Sequence, residues 1–331
     1  MALVDFAALL KQGCKLSIVS TSHLANLQSE IEGRRTGGEF DETFAKEHLN
    51  RFNFKLPPQL ENTQSIIVVA MPRPPTKAIF NWRAKKHTFV LPPTYTAYDE
   101  KRVHIEHLVG ETVAKRGYKI ATPNLPLKLS AIRSGLAEYG RNNIAYVDGM
   151  GSFMRLTAVY SDMPPQSENW RANKMMEHYE GCDLCQRACP TGAIGGDRFL
   201  LHAERCLTLH NERNGIIPFP DWIKPQWHNA LIGCIRCQTA CPVNKTYLRM
   251  VGETAEFSEE ETALLLKGIK IEQVPAEMVA KLKLLSITDF INEMPRNLSV
   301  LLQNAEEVSL PVECAGRVGG TQRCALRHGH L

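Results

Sequence analysis

Six cysteines of this 331-residue chain lie in two near copies of one string, GCDLCQRACP at 181–190 and GCIRCQTACP at 233–242. Both read C-x2-C-x3-C-P: Cys182, Cys185 and Cys189 before Pro190, then Cys234, Cys237 and Cys241 before Pro242. The bacterial two-cluster ferredoxin run is C-x2-C-x2-C-x3-C-P, in which three cysteines hold one 4Fe-4S cluster and the one before proline crosses to the other. Each copy here is that run without its first cysteine. For the second copy Cys206, in RCLTLH at 205–210, supplies a replacement. One cluster is then expected on Cys206, Cys234, Cys237 and, by crossing, Cys189. The other has Cys182, Cys185 and Cys241 and lacks a fourth ligand.

The regular spacing puts Tyr179 at that place, a poor cluster ligand, with His178 beside it. Four readings stay open. A distant cysteine, Cys314 or Cys324 in the glycine-rich tail or Cys14 near the start, completes the set; His178 ligates and raises the potential; the cluster holds three irons; or one iron is left open to solvent or substrate. A tail cysteine is preferred because nothing else explains the tail. Cys14 alone reads as a small buried apolar residue. Four-cysteine zinc is the competing metal, but seven thiolates with two x3-C-P endings suit crossed cubanes better. Two adjacent clusters imply a one-electron relay at low potential.

The elements that must position these ligands follow from periodicity. Residues 1–165 alternate short β-branched runs with helix-period segments, the pattern of an α/β (α+β) domain. Residues 64–71 form the clearest buried strand. Ile105, Leu108, Val109 and Val113 recur at helical spacing with Gly117 as the stop, and Leu129, Ile132 and Leu136 suggest a second helix with Gly135 inside it. Residues 144–147 and 155–160 read as two strands joined by a turn, DGMG at 148–151, whose G-x-G is weak evidence for a phosphate and better evidence for a hairpin. Residues 166–250 then form a two-cluster, bacterial-ferredoxin-like module, and 251–331 a short helical segment with a Gly-rich tail.

Composition excludes several classes. The chain is 44% hydrophobic with a net charge of +4 and no long like-charge runs, so neither a disordered nor a polyanion-binding protein is indicated. Asp5 stands where a secretory signal carries positive charge. The most apolar run, 66–71, is far short of the roughly 18 residues that span a bilayer. A cytoplasmic protein is expected, where ten cysteines are metal ligands or free thiols rather than disulfides.

From about residue 64 to 245 the chain resembles the cobalamin-dependent iron-sulfur reductases, the superfamily of epoxyqueuosine reductases and reductive dehalogenases. The resemblance rests on SIIVVAMP at 65–72, YTAYD at 95–99, RSGLAEYGRNN at 133–143, GSFMRL at 151–156, SDMP at 161–164 and the two cysteine runs. It implies a corrinoid-binding α/β domain whose cobalt is reduced by the clusters, with Arg133, Ser134, Gly135, Leu136, Gly140, Asn142 and Asn143 at the cobalamin. It also implies Tyr98 as proton source with Arg141 as its basic neighbour. Two departures stand out. Ahead of the block, where epoxyqueuosine reductases carry an acidic proton donor, this chain reads ATPN at 121–124; and the pair Arg34-Arg35 lacks the apolar segment of the twin-arginine signal of dehalogenases.

The expected function is a corrinoid-dependent reductase acting on a small molecule or a modified nucleoside, fed by a low-potential donor such as a ferredoxin or flavodoxin. The alternative is an iron-sulfur electron-transfer protein that reduces a partner corrinoid protein. A large α/β domain, about half the chain, speaks for the enzyme.

Overall fold

A computed structural model describes residues 4–92, 98–165, 169–177, 180–250 and 252–309, leaving aside the side chains of Tyr98 and of 307–309. The fold is mixed α/β. Its central sheet has the order β1-β2-β8-β5, from β1 (Lys15–Ser20), β2 (Ser65–Pro72), β8 (Met154–Ser161) and β5 (Ile120–Ala121), with every neighbouring pair antiparallel. Side chains of a strand alternate between faces, and the unbroken apolar run of β2 follows from having both faces covered. Ile66, Val68 and Ala70 pack on one side against the helices Leu24–Thr36 and Leu127–Arg133. Ile67, Val69 and Met71 pack on the other with Ile105, Val109 and Val113 of the helix Tyr98–Ala114.

A second core arises from chain segments far apart in sequence. Strands β3 (Thr76–Trp82) and β4 (Lys85–Leu91) form a hairpin whose two-residue turn, Arg83 and Ala84, has positive φ at both positions, the twist that matches paired strands. The C-terminal segment expected to be helical begins instead with a strand, β9 (Thr254–Phe257), which pairs in parallel with β3. Phe80 of β3 stacks on Phe257 of β9 with centroids 4.9 Å apart. Helices Glu259–Lys267, Ala276–Leu284 and Met294–Ser309 close this core, together with Leu231 and Ile232 just ahead of the second cysteine run. Periodicity misses the assignment because β9 is only four residues long and its partner lies about 175 residues away.

Two further expectations change. Gly135 is not inside a helix: Leu127–Arg133 ends before it, and Gly135 takes φ +78. Its N–H donates to the Ile132 carbonyl and that of Leu136 to the Ala131 carbonyl, the paired bonds of a Schellman stop, for which glycine is favoured because the left-handed conformation crowds a Cβ. Nor do residues 145–160 form a hairpin. Strand β7 (Ala145–Tyr146) pairs with β6 (Glu138–Tyr139), while β8 pairs with β2 and β5. Among the described residues no helix is long and apolar enough to cross a membrane.

Candidate functional site: two cysteine-lined cavities

Each x3-C-P ending shapes the backbone locally. The residue before proline is driven out of the helical region. Accordingly Cys189 leaves the helix Leu184–Ala188 at φ −78, ψ 108, and Cys241 takes φ −75, ψ 123 before Pro242 opens the next turn. The last cysteine of each run thereby turns off the axis carrying its neighbours. Cys206 is likewise extended, at the N-cap of the helix Leu207–Asn211.

Cys189, Cys206, Cys234 and Cys237 line one cavity of about 350 Å3. Two polar side chains hydrogen-bond its sulfurs, Asn229 Nδ2 donating to Cys234 Sγ at 3.2 Å and Thr191 Oγ1 lying 3.5 Å from Cys189 Sγ, and Thr208 and Asn142 line it with Cys206 and Cys237. Burial pushes the Cys206 thiol up to about 11 and raises those of Cys234 and Cys237, with the neighbouring thiols adding to it. Since thiolates are the ligands of iron, loading this cavity must release protons.

Cys182, Cys185 and Cys241 line a second cavity of about 450 Å3 with Gly140, Arg141, Asn142, Tyr146, Met176 and Glu177. Burial, then the neighbouring Cys241, raises the Cys185 thiol. Arg141 Nε donates to the Cys182 carbonyl at 2.8 Å and Nη2 to the Glu180 carbonyl at 3.3 Å, holding the loop that enters the first run. Tyr146 lies in this lining with Cys241 and accepts from Asn142 Nδ2 at 3.0 Å. Each cavity thus draws one thiol from the other's run. Among the described residues no three His, Cys, Asp or Glu side chains converge tightly enough for a single metal ion, whereas a zinc ion needs four ligands at about 2.0–2.3 Å. Three of the candidates for the missing ligand, His178, Cys314 and Cys324, lie outside the described residues, as does Tyr179 at the regular spacing. Cys14 is 2% exposed within the core of Leu9 and Ile18, where burial pushes its thiol up to about 11.

The block 133–143 is divided between tasks. Arg133 pairs with Glu30 at 2.9 Å and lies over the Trp170 ring. Ser134, Gly135 and Leu136 border an open cavity of about 640 Å3 with Lys15, Ser17 and Asn169. Gly140 and Asn142 face the cysteines. Asn143, at φ +57, accepts the half-buried Lys128 ammonium on its carbonyl and its Oδ1, at 2.9 and 2.6 Å; burial, then Arg34, lowers that lysine to about 8. The block is thus spread over separate cavities. Tyr98 opens the helix Tyr98–Ala114, its side chain outside the described residues.

The turn at 148–151 has a role that spacing alone did not reveal. Gly151 has φ +57, and a Cβ there would collide with Asn244 and Tyr247, beyond the second cysteine run. Asn244 Oδ1 accepts from the Ser152 N–H at 3.0 Å and its Nδ2 donates to Ser152 Oγ at 2.8 Å, while Ser152 Oγ donates to Gln238 Oε1 at 2.9 Å. The glycine therefore admits the cysteine module against the α/β domain. Gln238 and Asn244 sit beside Cys237 and Pro242, and their polarity within so cysteine-rich a stretch was the available signal.

Glu212 borders the first cavity with its Oε1 sealed from solvent and without a partner among the described residues. Burial raises its carboxyl to about 7. The fold therefore favours the neutral acid: the contribution is complete below the ordinary carboxyl range and is lost as pH rises toward 7. Glu212→Gln is expected to gain up to about 3 kcal/mol over the parent at pH 8 and little at pH 4.5, read from urea midpoints at the two pH values.

Comparison with known proteins agrees with this geometry. Residues 179–244 match the family described as the 4Fe-4S double cluster binding domain. An epoxyqueuosine reductase of Burkholderia pseudomallei is 30% identical over 186 residues, 50% of this chain and 45% of that protein. The enzyme of Bacillus subtilis is 30% identical over 127 residues, 38% and 31% respectively. The chain thus spans less than half the length of these curated relatives. In fold it is similar to epoxyqueuosine reductase from Streptococcus thermophilus, with a TM-score of 0.58 and 18% identity over 90% of this chain and 80% of that one. It is also similar to an epoxyqueuosine reductase crystallised with an epoxyqueuosine-modified tRNA stem loop, with a TM-score of 0.62 and 19% identity over 89% and 78%. Over half its length the chain is thus similar in sequence to an epoxyqueuosine reductase, over nine-tenths of it similar in fold to such enzymes, and at residues 179–244 it matches the 4Fe-4S double cluster binding domain.

Proposed function

We propose that this chain is a cobalamin- and iron-sulfur-dependent reductase in which two 4Fe-4S clusters, on Cys189, Cys206, Cys234 and Cys237 and on Cys182, Cys185 and Cys241 with one further ligand, pass single electrons to a corrinoid. The observation that carries it is the pair of cysteine-lined cavities within one module. The thiol donor set fits iron-sulfur clusters, and the donors at Thr191, Thr208, Asn229, Asn142 and Tyr146 fit the charge that sulfur gains on reduction.

For the corrinoid the fit is incomplete: residues 133–143 are split among an ion pair, a helix stop, a lysine acceptor and the cluster walls. When bound, the corrinoid would supply the low-valent metal that carries the reduction. The chain's own contribution is to hold the clusters, keep their thiols dry and set their potentials. A modified nucleoside is the substrate class favoured by the relatives, one of which was crystallised with a modified tRNA stem loop, and the electron donor is a low-potential carrier such as a ferredoxin or flavodoxin. Residues 121–124 lack a carboxylate, and Asn124 is spent on the 51–53 loop, its Nδ2 donating to the Arg51 carbonyl at 2.6 Å. The substrate's proton must come from elsewhere, with Tyr98 as our candidate.

The test is anaerobic purification, addition of cobalamin, and absorption and EPR spectra before and after reduction. Retained corrinoid with a cobalt signal that responds to reductant is the expected result. Clusters without corrinoid would leave an electron-transfer protein.

A further inference from the structure

Gly140, Arg141 and Asn142 line the second cavity, and Asn142 also lines the first, so that with its Tyr146 partner it stands beside cysteines of both. Asn142 is 2% exposed and borders both cavities. Its amide nitrogen has two protons. One goes to Tyr146 Oη at 3.0 Å, and the side chain lies beside Cys237 in the lining of the first cavity. Tyr146, accepting from Asn142, keeps its own hydroxyl proton and lines the second cavity beside Cys241. The hydrogen-bonded pair Asn142–Tyr146 therefore stands between a thiol of one cavity and a thiol of the other.

Gly140 makes this arrangement possible. A Cβ there would lie 2.5 Å from Tyr146 Cε2 and 2.7 Å from Asn142 Oδ1, closer than real contacts allow, so a larger residue must part the two side chains. Arg141, between them in sequence, ties the same segment to the carbonyls of Cys182 and Glu180.

We propose that Asn142 and Tyr146 form a hydrogen-bonded bridge that sets the reduction potentials of both clusters together, Gly140 being the residue that lets the bridge close. This rests on the two-cluster reading above. A cluster gains one negative charge on reduction, and hydrogen bonds to its sulfurs stabilise that charge and raise the potential. Asn142 and Tyr146 are thus positioning residues acting through the ligands Cys237 and Cys241. They touch no substrate.

The experiment is an EPR-monitored redox titration of the full chain with clusters reconstituted, each signal being assigned by its absence from the Cys189→Ser and Cys241→Ser chains. Tyr146→Phe is expected to lower the potential of the cluster on Cys182, Cys185 and Cys241 by roughly the ~59 mV that a tenfold change in a one-electron equilibrium represents. Asn142→Leu should lower both potentials, and Gly140→Ala should move them in the same direction. Asn229→Leu, which removes a donor to Cys234 only, should lower the potential of the four-cysteine cluster alone. Two clusters with unchanged potentials in Tyr146→Phe would overturn the bridge, as would an Asn142→Leu shift confined to one cluster. If Asn142→Leu fails to take up iron, the conservative Tyr146→Phe decides. Absence of iron and of EPR signals in the parent chain would instead remove the two-cluster reading, a distinct outcome.

Discussion

Serine at Cys189 is expected to abolish the cluster whose other three ligands lie at 206, 234 and 237, while leaving the one on Cys182 and Cys185. Serine at Cys241 should do the reverse. Iron should fall from about eight to about four per chain in each case, and the surviving EPR signal should differ between the two variants. The reason is the turn at each C-P step: Cys189 shares a cavity with the second run, and Cys241 with the first. Were each run to hold its own cluster, Cys189→Ser would spare the signal that Cys234→Ser removes. Under the crossed arrangement those two variants lose the same signal. Parent iron near seven would point to a three-iron cluster at the three-cysteine site.

Replacing Arg296 by methionine is expected to destabilise the chain by about 3–5 kcal/mol, because charge-assisted hydrogen bonds contribute roughly 1.5–3 kcal/mol each and do not add fully. Arg296 lies in the helix Met294–Ser309 and donates to the carbonyls of His210, Asn211, Arg213, Asn214 and Ile217 at 2.7–3.3 Å. Its guanidinium also lies 4.2 Å from the Phe219 ring centroid. Beside it Asn297 Nδ2 reaches Asn211 and the Leu231 carbonyl, and Asn211 Oδ1 accepts from the Gly233 N–H. This pair fastens the loop between Cys206 and Cys234 to the second core. A lower urea midpoint with an unchanged slope would show lost stability, and reconstituted iron should fall in parallel at the four-cysteine cavity. Arg296→Lys should recover little, since an ammonium cannot reach carbonyls on several sides as the planar fork does.

Such contacts show why part of the site could be read from the chain and part could not. The cysteine runs, the replacement at Cys206 and the strand at β2 were legible because their causes are local: ligand spacing, proline's restriction on the preceding residue, and a two-sided apolar run. The stop at Gly135 was misread as a helix interior because Leu136 keeps the helical spacing by packing after the chain has already turned. The C-terminal strand was missed because its partner in β3 is remote. Residues 133–143 carry a sequence resemblance to corrinoid enzymes, yet Gly140 and Asn142 face cysteines.

By itself, the sequence determined the metal-binding chemistry and which elements could form, since a thiol's affinity for iron and a proline's φ belong to single residues and near neighbours. Only the tertiary structure decided which thiols share a cavity, that Gly140 must be small, that Gly151 admits Asn244, and that Arg296 holds a loop about 80 residues earlier. Those are matters of close approach between segments distant in the chain, and close packing, unlike spacing, leaves no periodic trace in the order of residues.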